Sequence, residues 1–401
     1  MAINAELRPL RLKPREDRRV RGGHAWIYSN EVDVEATPLL AFAPGTGARI
    51  EDHAGKVLGT GYVNPHSLIC ARVVSRDPAH SLGKSLLVHR LNVALSLRET
   101  LFTKPYYRLV YGESDGLPGL VVDRFGDVLV AQITTAGMER VREDILAALE
   151  QVLRPRAVLW RNDTSIRALE GLDSYVSDAL GEVPERVQLE ENATRFEVAL
   201  REGQKTGWYY DHRMNRRRLQ DYVRGKRVLD VFSYVGAWGV QMALAGASEV
   251  VCVDASAAAL AGTERNAELN GVAGRMSGLQ GDAFEALKAL RGEQERFDVI
   301  ILDPPAFVKR KKDLKEGLLA YRRINQMALQ VLAKDGILVS ASCSYHLPRS
   351  LLREAMHEAA RHVDRQLQVL EQGHQGPDHP VLPAMPETDY LKAFITRALP
   401  R

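Results

Sequence analysis

The chain changes its hydrophobic rhythm twice. Over the first ~75 residues, short alternating apolar and polar runs predict strands at Ala48–Glu51, Val57–Val63 and Leu68–Ser75, punctuated by Gly45, Gly47, Gly55 and Gly59. A helical period then runs from Leu86 to Leu101. It is followed by strand-like stretches at Leu120–Arg124 and Val128–Ile133, an amphipathic helix over Met138–Leu153 and a strand at Ala157–Arg161. From about Arg195 the pattern becomes strand and helix in alternation. Strands are expected at Val228–Phe232, Val250–Asp254, Phe297–Asp303, Gly336–Ser342 and Leu391–Thr396. Helices are expected at Ala237–Ala245, Ala257–Asn270 and Leu351–His362. These rhythms predict a small β-barrel-like module over 1–76, a compact α+β domain over 77–192 and a doubly wound α/β domain over 193–401.

Composition narrows the reading. A length of 401 residues suits two or three domains, and a net charge of only +3 does not by itself demand a polyanionic partner. No apolar run reaches the ~18 residues of a membrane span, and Glu6, Arg8 and Arg11 interrupt the N-terminus before any secretory apolar segment. Cys70, Cys252 and Cys343 are odd in number and far apart. That spacing argues against a disulfide framework or a cysteine metal site and fits a reducing cytoplasm.

In a doubly wound sheet, ligands bind beyond the carboxyl ends of the strands. There the sequence places three acids. Strand 228–232 carries Asp230 and runs into Ser233-Tyr234-Val235-Gly236, a tight turn with one glycine and no G-x-G-x-x-G or P-loop pattern. A cofactor without a phosphate at that turn suits it best, with Asp230 toward an ammonium group. Asp254 ends the next strand at the distance expected of an acid that binds ribose hydroxyls, and Asp282 follows a further short strand, where it could accept from an adenine amino group. Each acid alone is more simply a helix cap or solvated loop residue; the three together describe one rim.

The next two strand ends carry chemistry. Asp303-Pro304-Pro305-Ala306-Phe307 is an acidic loop stiffened by two prolines, suited to holding an unstacked base. Ser342-Cys343-Ser344 sets a cysteine among polar residues, whereas Cys70 and Cys252 lie in apolar strands. Cytosine carbon 5 is a poor nucleophile. A thiolate added to carbon 6 makes an enamine that can attack an activated methyl, with Asp303, protonated or shared with ring N3, stabilising the adduct. Basic runs at Arg18, Arg19 and Arg21, and at Lys309, Arg310 and Lys311 beside the Pro-Pro loop, offer phosphate contacts. His24, Trp26 and Tyr28 could stack on bases or equally belong to the module's core.

Together these segments resemble the bacterial 23S rRNA cytosine-5 methyltransferases of the RlmI type. The similarity also covers Gly112–Gly119, Gly203–Arg213, Asp378-His379-Pro380 and Tyr390-Leu391-Lys392. The resemblance implies a PUA-like domain, a central α+β domain and a Rossmann-like class I methyltransferase domain. It implies S-adenosylmethionine as cofactor, no metal, ribosomal RNA as partner and Cys343 as nucleophile. It also implies that Lys205, Thr206, Asp211 and Arg213 join Asp230, Ser233, Tyr234, Gly236, Asp254, Asp282 and Asp303 around the cofactor. Oligomeric state stays open, a homodimer included. The Pro-Pro loop has Ala306 where many RNA cytosine-5 methyltransferases carry a second cysteine, so release from the adduct is unassigned. Two alternatives remain: methylation of an exocyclic base nitrogen, which needs no cysteine, and a non-catalytic RNA-binding or assembly protein.

Overall fold

A computed structural model describes residues 7–401, so the first residues of the expected 1–76 module lie outside it. The chain forms two compact units. Of the described residues, one comprises 7–187, 199–208 and 377–388, and the other 188–198, 209–376 and 389–401.

The first unit holds two five-stranded sheets. In the N-terminal one the order is Pro9–Arg11, Thr46–Glu51, Val57–Val63, Ala71–Ser75, Trp26–Ile27. A bridge between Leu12 and Val32, flanked by Lys13 N to Glu31 O and Asp33 N to Arg11 O (both 2.9 Å), brings its outer edges together. The result is the barrel-like module expected, filled by Leu10, Ile27, Val32, Ile50 and Val63, all fully buried. The second sheet runs Tyr175–Leu180, Ala157–Asn162, Val128–Ile133, Leu120–Phe125, Tyr106–Tyr111. Helices Lys84–Leu101 and Arg142–Leu153 contribute Leu87, Leu91, Ile145 and Leu149 to its core. The 377–388 stretch returns to this unit. Asp378 accepts from Arg108 N at 3.0 Å, and its carbonyl accepts from the buried Arg98 guanidinium at 2.8 Å.

The second unit carries a seven-stranded sheet: β1 Arg227–Val231, β2 Glu249–Asp254, β3 Met276–Gln280, β4 Phe297–Leu302, β5 Leu332–Ser342, β6 Arg365–Gly373 and β7 Lys392–Pro400. Their order is β3-β2-β1-β4-β5-β7-β6. The first five are parallel, and β7 pairs antiparallel with both β5 and β6. The order reverses between β1 and β4, which opens a crevice beyond their carboxyl ends. Helices α1 Arg213–Leu219, α2 Gly239–Leu244, α3 Ala257–Leu269, α4 Ala283–Gly292, α5 Leu314–Val331 and α6 Arg349–Arg361 accompany the strands. The central strands read as near-continuous apolar runs because helices cover both faces of a parallel sheet. Leu229, Val231, Ile300, Leu302 and Leu338 are fully buried in one cluster with Tyr321, Ile324 and Ala328 of α5.

Helices α4 and α5 and strand β6 are not among the elements expected, and two of these have a plain reason. β6 is an edge strand of mostly exposed or half-buried residues, so its period-2 signal has no apolar face to mark it. The other is α5, whose pattern joins the charged Lys309–Asp313 run without a break. Its Gly317 has a packing reason: a Cβ there would stand 2.3 Å from Val308 Cγ2 and 2.9 Å from Phe307 O, so only glycine lets the chain after the Pro-Pro loop lie on the helix.

Candidate functional site

The site is built at the carboxyl ends of β1, β2, β4 and β5. After β1 the backbone turns through Phe232 (φ 66°), Tyr234 (φ 52°) and Gly236 (φ 79°). Left-handed conformations at two bulky residues cost energy and persist only where the surroundings enforce them. Here Phe232 N and Ser233 N both donate to Val253 O, at 2.9 and 3.0 Å, and Tyr234 N donates to Asp254 Oδ2 at 2.9 Å. Gly236 serves packing as well as the turn: a Cβ would meet Thr263 Cγ2 at 2.9 Å and Val240 Cγ2 at 3.0 Å.

Asp230 is fully buried. Its Oδ2 accepts from Gly239 N at 2.8 Å, while Oδ1 is buried with no hydrogen-bond donor. Burial, reinforced by the neighbouring Asp303 charge, pushes its pKa up to about 7 against the pull of the Gly239 N–H. Asp254 is half-buried and also accepts from Ser256 N at 2.9 Å. Asp282 is exposed and caps α4, its Oδ1 accepting from Phe284 N and Glu285 N at 2.9 and 3.2 Å. Ser233 is buried and Tyr234 half-buried, with the Tyr234 ring edge-on to Tyr209 at 5.8 Å.

At the end of β4, Asp303 is half-buried and held from two sides. Trp238 Nε1 donates to Oδ2 at 3.0 Å, and His212 Nε2 lies 3.2 Å from Oδ1. The Asn215 side-chain amide donates to His374 O and reaches His212 Nδ1, both at 3.1 Å. This holds the Nδ1 edge of the ring on Asn215 and turns the Nε2 edge toward Asp303. Burial pushes the Asp303 pKa up, but the His212 imidazole and the Trp238 N–H outweigh it and hold the carboxyl below its usual range. Before a base binds, Asp303 is thus a carboxylate. The option of a pre-protonated Asp303 is not the one its surroundings favour.

At the end of β5, Cys343 is half-buried and unbridged, unlike the fully buried Cys70 and Cys252. Burial pushes the Cys70 thiol up to about 12 and the Cys252 thiol well above its usual value. The serines flanking Cys343 anchor it. Ser342 Oγ donates to Tyr321 OH at 2.8 Å, Tyr321 OH meets Ser344 Oγ at 3.0 Å, and Ser344 Oγ accepts from Val308 N at 3.1 Å. One tyrosine of α5 thereby ties the cysteine tip to the chain just past the Pro-Pro loop. Phe307 packs inward, 4.8 Å from Tyr321 and 6.4 Å from both Phe232 and Phe284, so its ring is engaged in the hydrophobic cluster.

Four participants were not among the sequence candidates: His212, Trp238, Tyr321 and Lys392. The Lys392 ammonium is buried and donates to Ser344 O at 2.6 Å. Burial lowers its pKa to about 8. Asp211 and Arg213 belong to this unit but face inner partners. Asp211 accepts from Tyr390 OH at 2.5 Å, and Arg213 lies 3.5 Å from the buried Glu191 and over the Tyr210 ring. Lys205 and Thr206 fall in the first unit, where Thr206 Oγ1 donates to Asp123 at 2.5 Å.

The basic runs divide. Arg19 pairs with Glu31 at 2.8 Å and covers the Tyr28 ring, and Arg21 pairs with Asp17 and with Asp52 at 2.7 Å. These two arginines hold the barrel module's own turns, whereas Arg18 is exposed. Trp26 Nε1 donates to Glu113 at 2.8 Å and His24 is buried, so both serve the first unit's interior contacts. Beside the Pro-Pro loop, Lys309, Arg310, Lys311 and Lys312 are exposed, with Arg310 forked onto Asp313 at 3.0 and 3.3 Å.

A strand-turn-helix with an acid at the first strand end, an acidic rim and the reversal of strand order define the class: an S-adenosylmethionine-dependent methyltransferase. The model of that family matches residues 156–397, and a PUA-like domain model matches residues 10–76. The chain is 38% identical over 382 residues to Ribosomal RNA large subunit methyltransferase I of Escherichia coli (strain SMS-3-5), covering 94% of this chain and 96% of the relative. The same protein from Shigella boydii serotype 18 matches at 38% over the same shares. The chain belongs to this family. In fold it is similar to two solved structures, each at 21% identity over 98% of this chain and 100% of the other. One is a candidate methyltransferase complexed with SAH (TM-score 0.84), the other a candidate SAM-dependent methyltransferase from Streptococcus mutans (TM-score 0.82). Among the described residues no helix is long and apolar enough to cross a membrane.

Proposed function

We propose that the protein methylates carbon 5 of a cytosine in large-subunit ribosomal RNA through a covalent adduct with Cys343. The observation that carries this reading is the anchored, half-buried Cys343 thiol, whose flanking serines share Tyr321 with the chain of the Asp303-Pro304-Pro305 loop. The relatives' name, Ribosomal RNA large subunit methyltransferase I, supports the substrate class, and the PUA-like module and the exposed lysines 309, 311 and 312 are the kind of surface an RNA needs.

The crevice fits S-adenosylmethionine. The donor-less, buried Asp230 Oδ1 suits an ammonium, and the carboxylate of Asp254 suits ribose hydroxyls. Asp230, Ser233, Tyr234, Gly236 and Asp254 would hold the cofactor, with Asp282 at the edge through the oxygen not used in capping α4. The bound cofactor supplies an electrophilic methyl.

The chain's own groups do the rest. The Cys343 sulfur adds to cytosine carbon 6; the carbon 5–carbon 6 π pair moves to carbon 5, where it becomes nucleophilic. Asp303, ionised in the free protein, would pick up a solvent proton as the base binds and share it with ring N3, which becomes protonated as the sulfur adds. The Trp238 N–H holds one of its oxygens, and the His212 ring lies 3.2 Å from the other. Carbon 5 bonds the methyl; a base then takes the carbon-5 proton, the C–H pair re-forms the 5–6 double bond, and the Cys343 thiolate leaves with the carbon–sulfur pair. A Pro-Pro loop of an amino-group methyltransferase would offer an aromatic to the base; Phe307 is instead packed against Tyr321. The test is Cys343→Ala assayed on ribosomal RNA from cells lacking the protein. Methyl transfer falls to background while SAH binding by calorimetry is unchanged. Full activity in the variant would overturn the covalent route.

A further inference from the structure

The Cys343 thiol needs a reason to ionise at neutral pH, and none of the candidates drawn from the sequence supplies one. An ordinary cysteine has a pKa of about 8.5, and an adjacent cation is the usual means of lowering it. Two tyrosines of this unit, Tyr209 and Tyr321, lie within electrostatic reach of Cys343. Both keep their protons at neutral pH, so neither brings a positive charge to the sulfur. The third neighbour is different.

Lys392 opens β7 directly opposite Ser342 in the antiparallel ladder, so the register of β5 against β7 fixes its place one residue from Cys343. Its ammonium is sealed from solvent and donates to the carbonyl of Ser344 at 2.6 Å, on the other side of the cysteine. Besides Cys343, the charged groups that act on it are Asp389, which is exposed and so screened, and Arg349, a second cation whose guanidinium donates to Gly373 O at 2.8 Å and Leu391 O at 3.3 Å. No carboxylate of the described residues forms an ion pair with Lys392. A buried ammonium bonded to a neutral carbonyl is a strong local field, and this one sits on the residue next to Cys343.

We infer that Lys392 is the positioning residue that holds Cys343 as a thiolate, by placing a desolvated ammonium beside the sulfur and clamping the carbonyl of the next residue. This deepens the covalent reading of the site and rests on it for its role in methyl transfer. The thiol proton leaves to solvent, and the ammonium keeps its own. Each charge favours the other: burial pulls the Lys392 pKa down, to about 8 in all, and a negative Cys343 pushes against that fall.

The test titrates the thiol without RNA, so it stands apart from the activity of Cys343→Ala. Full-length protein is alkylated with iodoacetamide across pH 5.5 to 10, and the rate at Cys343 is read from its peptide by mass spectrometry. In wild type the midpoint lies below the ordinary ~8.5. In Lys392→Met it rises by about one unit or more, a roughly tenfold loss of thiolate at neutral pH, and Lys392→Arg brings it back. Methyl transfer by Lys392→Met falls about tenfold at pH 7 and recovers as the pH is raised, which a merely structural defect would not do. A wild-type midpoint at or above 8.5 overturns the inference, whatever the variants do. So does a Lys392→Met profile that superimposes on wild type while SAH still binds.

Discussion

Tyr321→Phe removes one oxygen atom and no ring, and it tests whether the tips of β4 and β5 are held as one object. The hydroxyl accepts from Ser342 and meets Ser344, whose own oxygen takes the amide of Val308. All four residues are buried, so no water replaces the lost partner. Without the hydroxyl, the Ser342 O–H has no acceptor there. A buried unsatisfied donor costs about 1–3 kcal/mol, the upper part of which applies to a site this dry. For a unit of about 200 residues, ~2 kcal/mol corresponds to a fall in melting temperature of roughly 4–8 °C. The second effect is larger than stability suggests. The Cys343 backbone sits between the two serines that lose their anchor, and misplacing a reacting atom by about 1 Å can cost on the order of 100-fold in rate. The measurement is differential scanning calorimetry alongside kcat at saturating ribosomal RNA and S-adenosylmethionine. The expected result is a lower Tm, a much lower kcat and unchanged SAH affinity. A normal kcat in a destabilised protein would refute the reasoning, because the hydroxyl would then hold the fold without placing the sulfur. A double-mutant cycle with Ser344→Ala should show coupling, since both substitutions break the same chain of bonds.

Asp230→Asn keeps the acceptor for Gly239 N–H but removes a titration. The folded pKa is raised to about 7, so this carboxyl's contribution is complete below about pH 4 and is lost as the pH rises through 7. Relative to the variant, wild-type stability therefore falls between those values, by on the order of 4 kcal/mol, as read from urea midpoints; a difference that is constant with pH would be inconsistent with a buried, protonated acid. Replacing Lys309 and Lys311 by Glu should weaken binding of a ribosomal RNA fragment and reduce the slope of log K against log salt by about 1.4 for two lost single-strand phosphate contacts, with SAH binding intact. An unchanged slope would mean the RNA arrives elsewhere.

What the sequence determined by itself was whatever is written in neighbouring residues. Apolar runs of strand length at Val228–Phe232, Val250–Asp254 and Phe297–Asp303 fixed the parallel core, because a strand covered on both faces has no polar side. The acids at their ends, the stiff Pro-Pro loop and one cysteine in polar company followed from position along those strands. The tertiary structure decided the partners. Lys392 lies 49 residues after Cys343 and reaches it only because β7 runs antiparallel to β5 in one register. His212, Trp238 and Tyr321 come from three different helices or turns and meet two strand ends. Arg19 and Arg21 pair with Glu31 and Asp52, partners 12 and 31 residues away that the basic run itself does not name. Local pattern reports how a residue sits on its own element, whereas the ionisation of a thiol or a carboxyl depends on which charges and N–H donors the folded chain brings within a few ångströms.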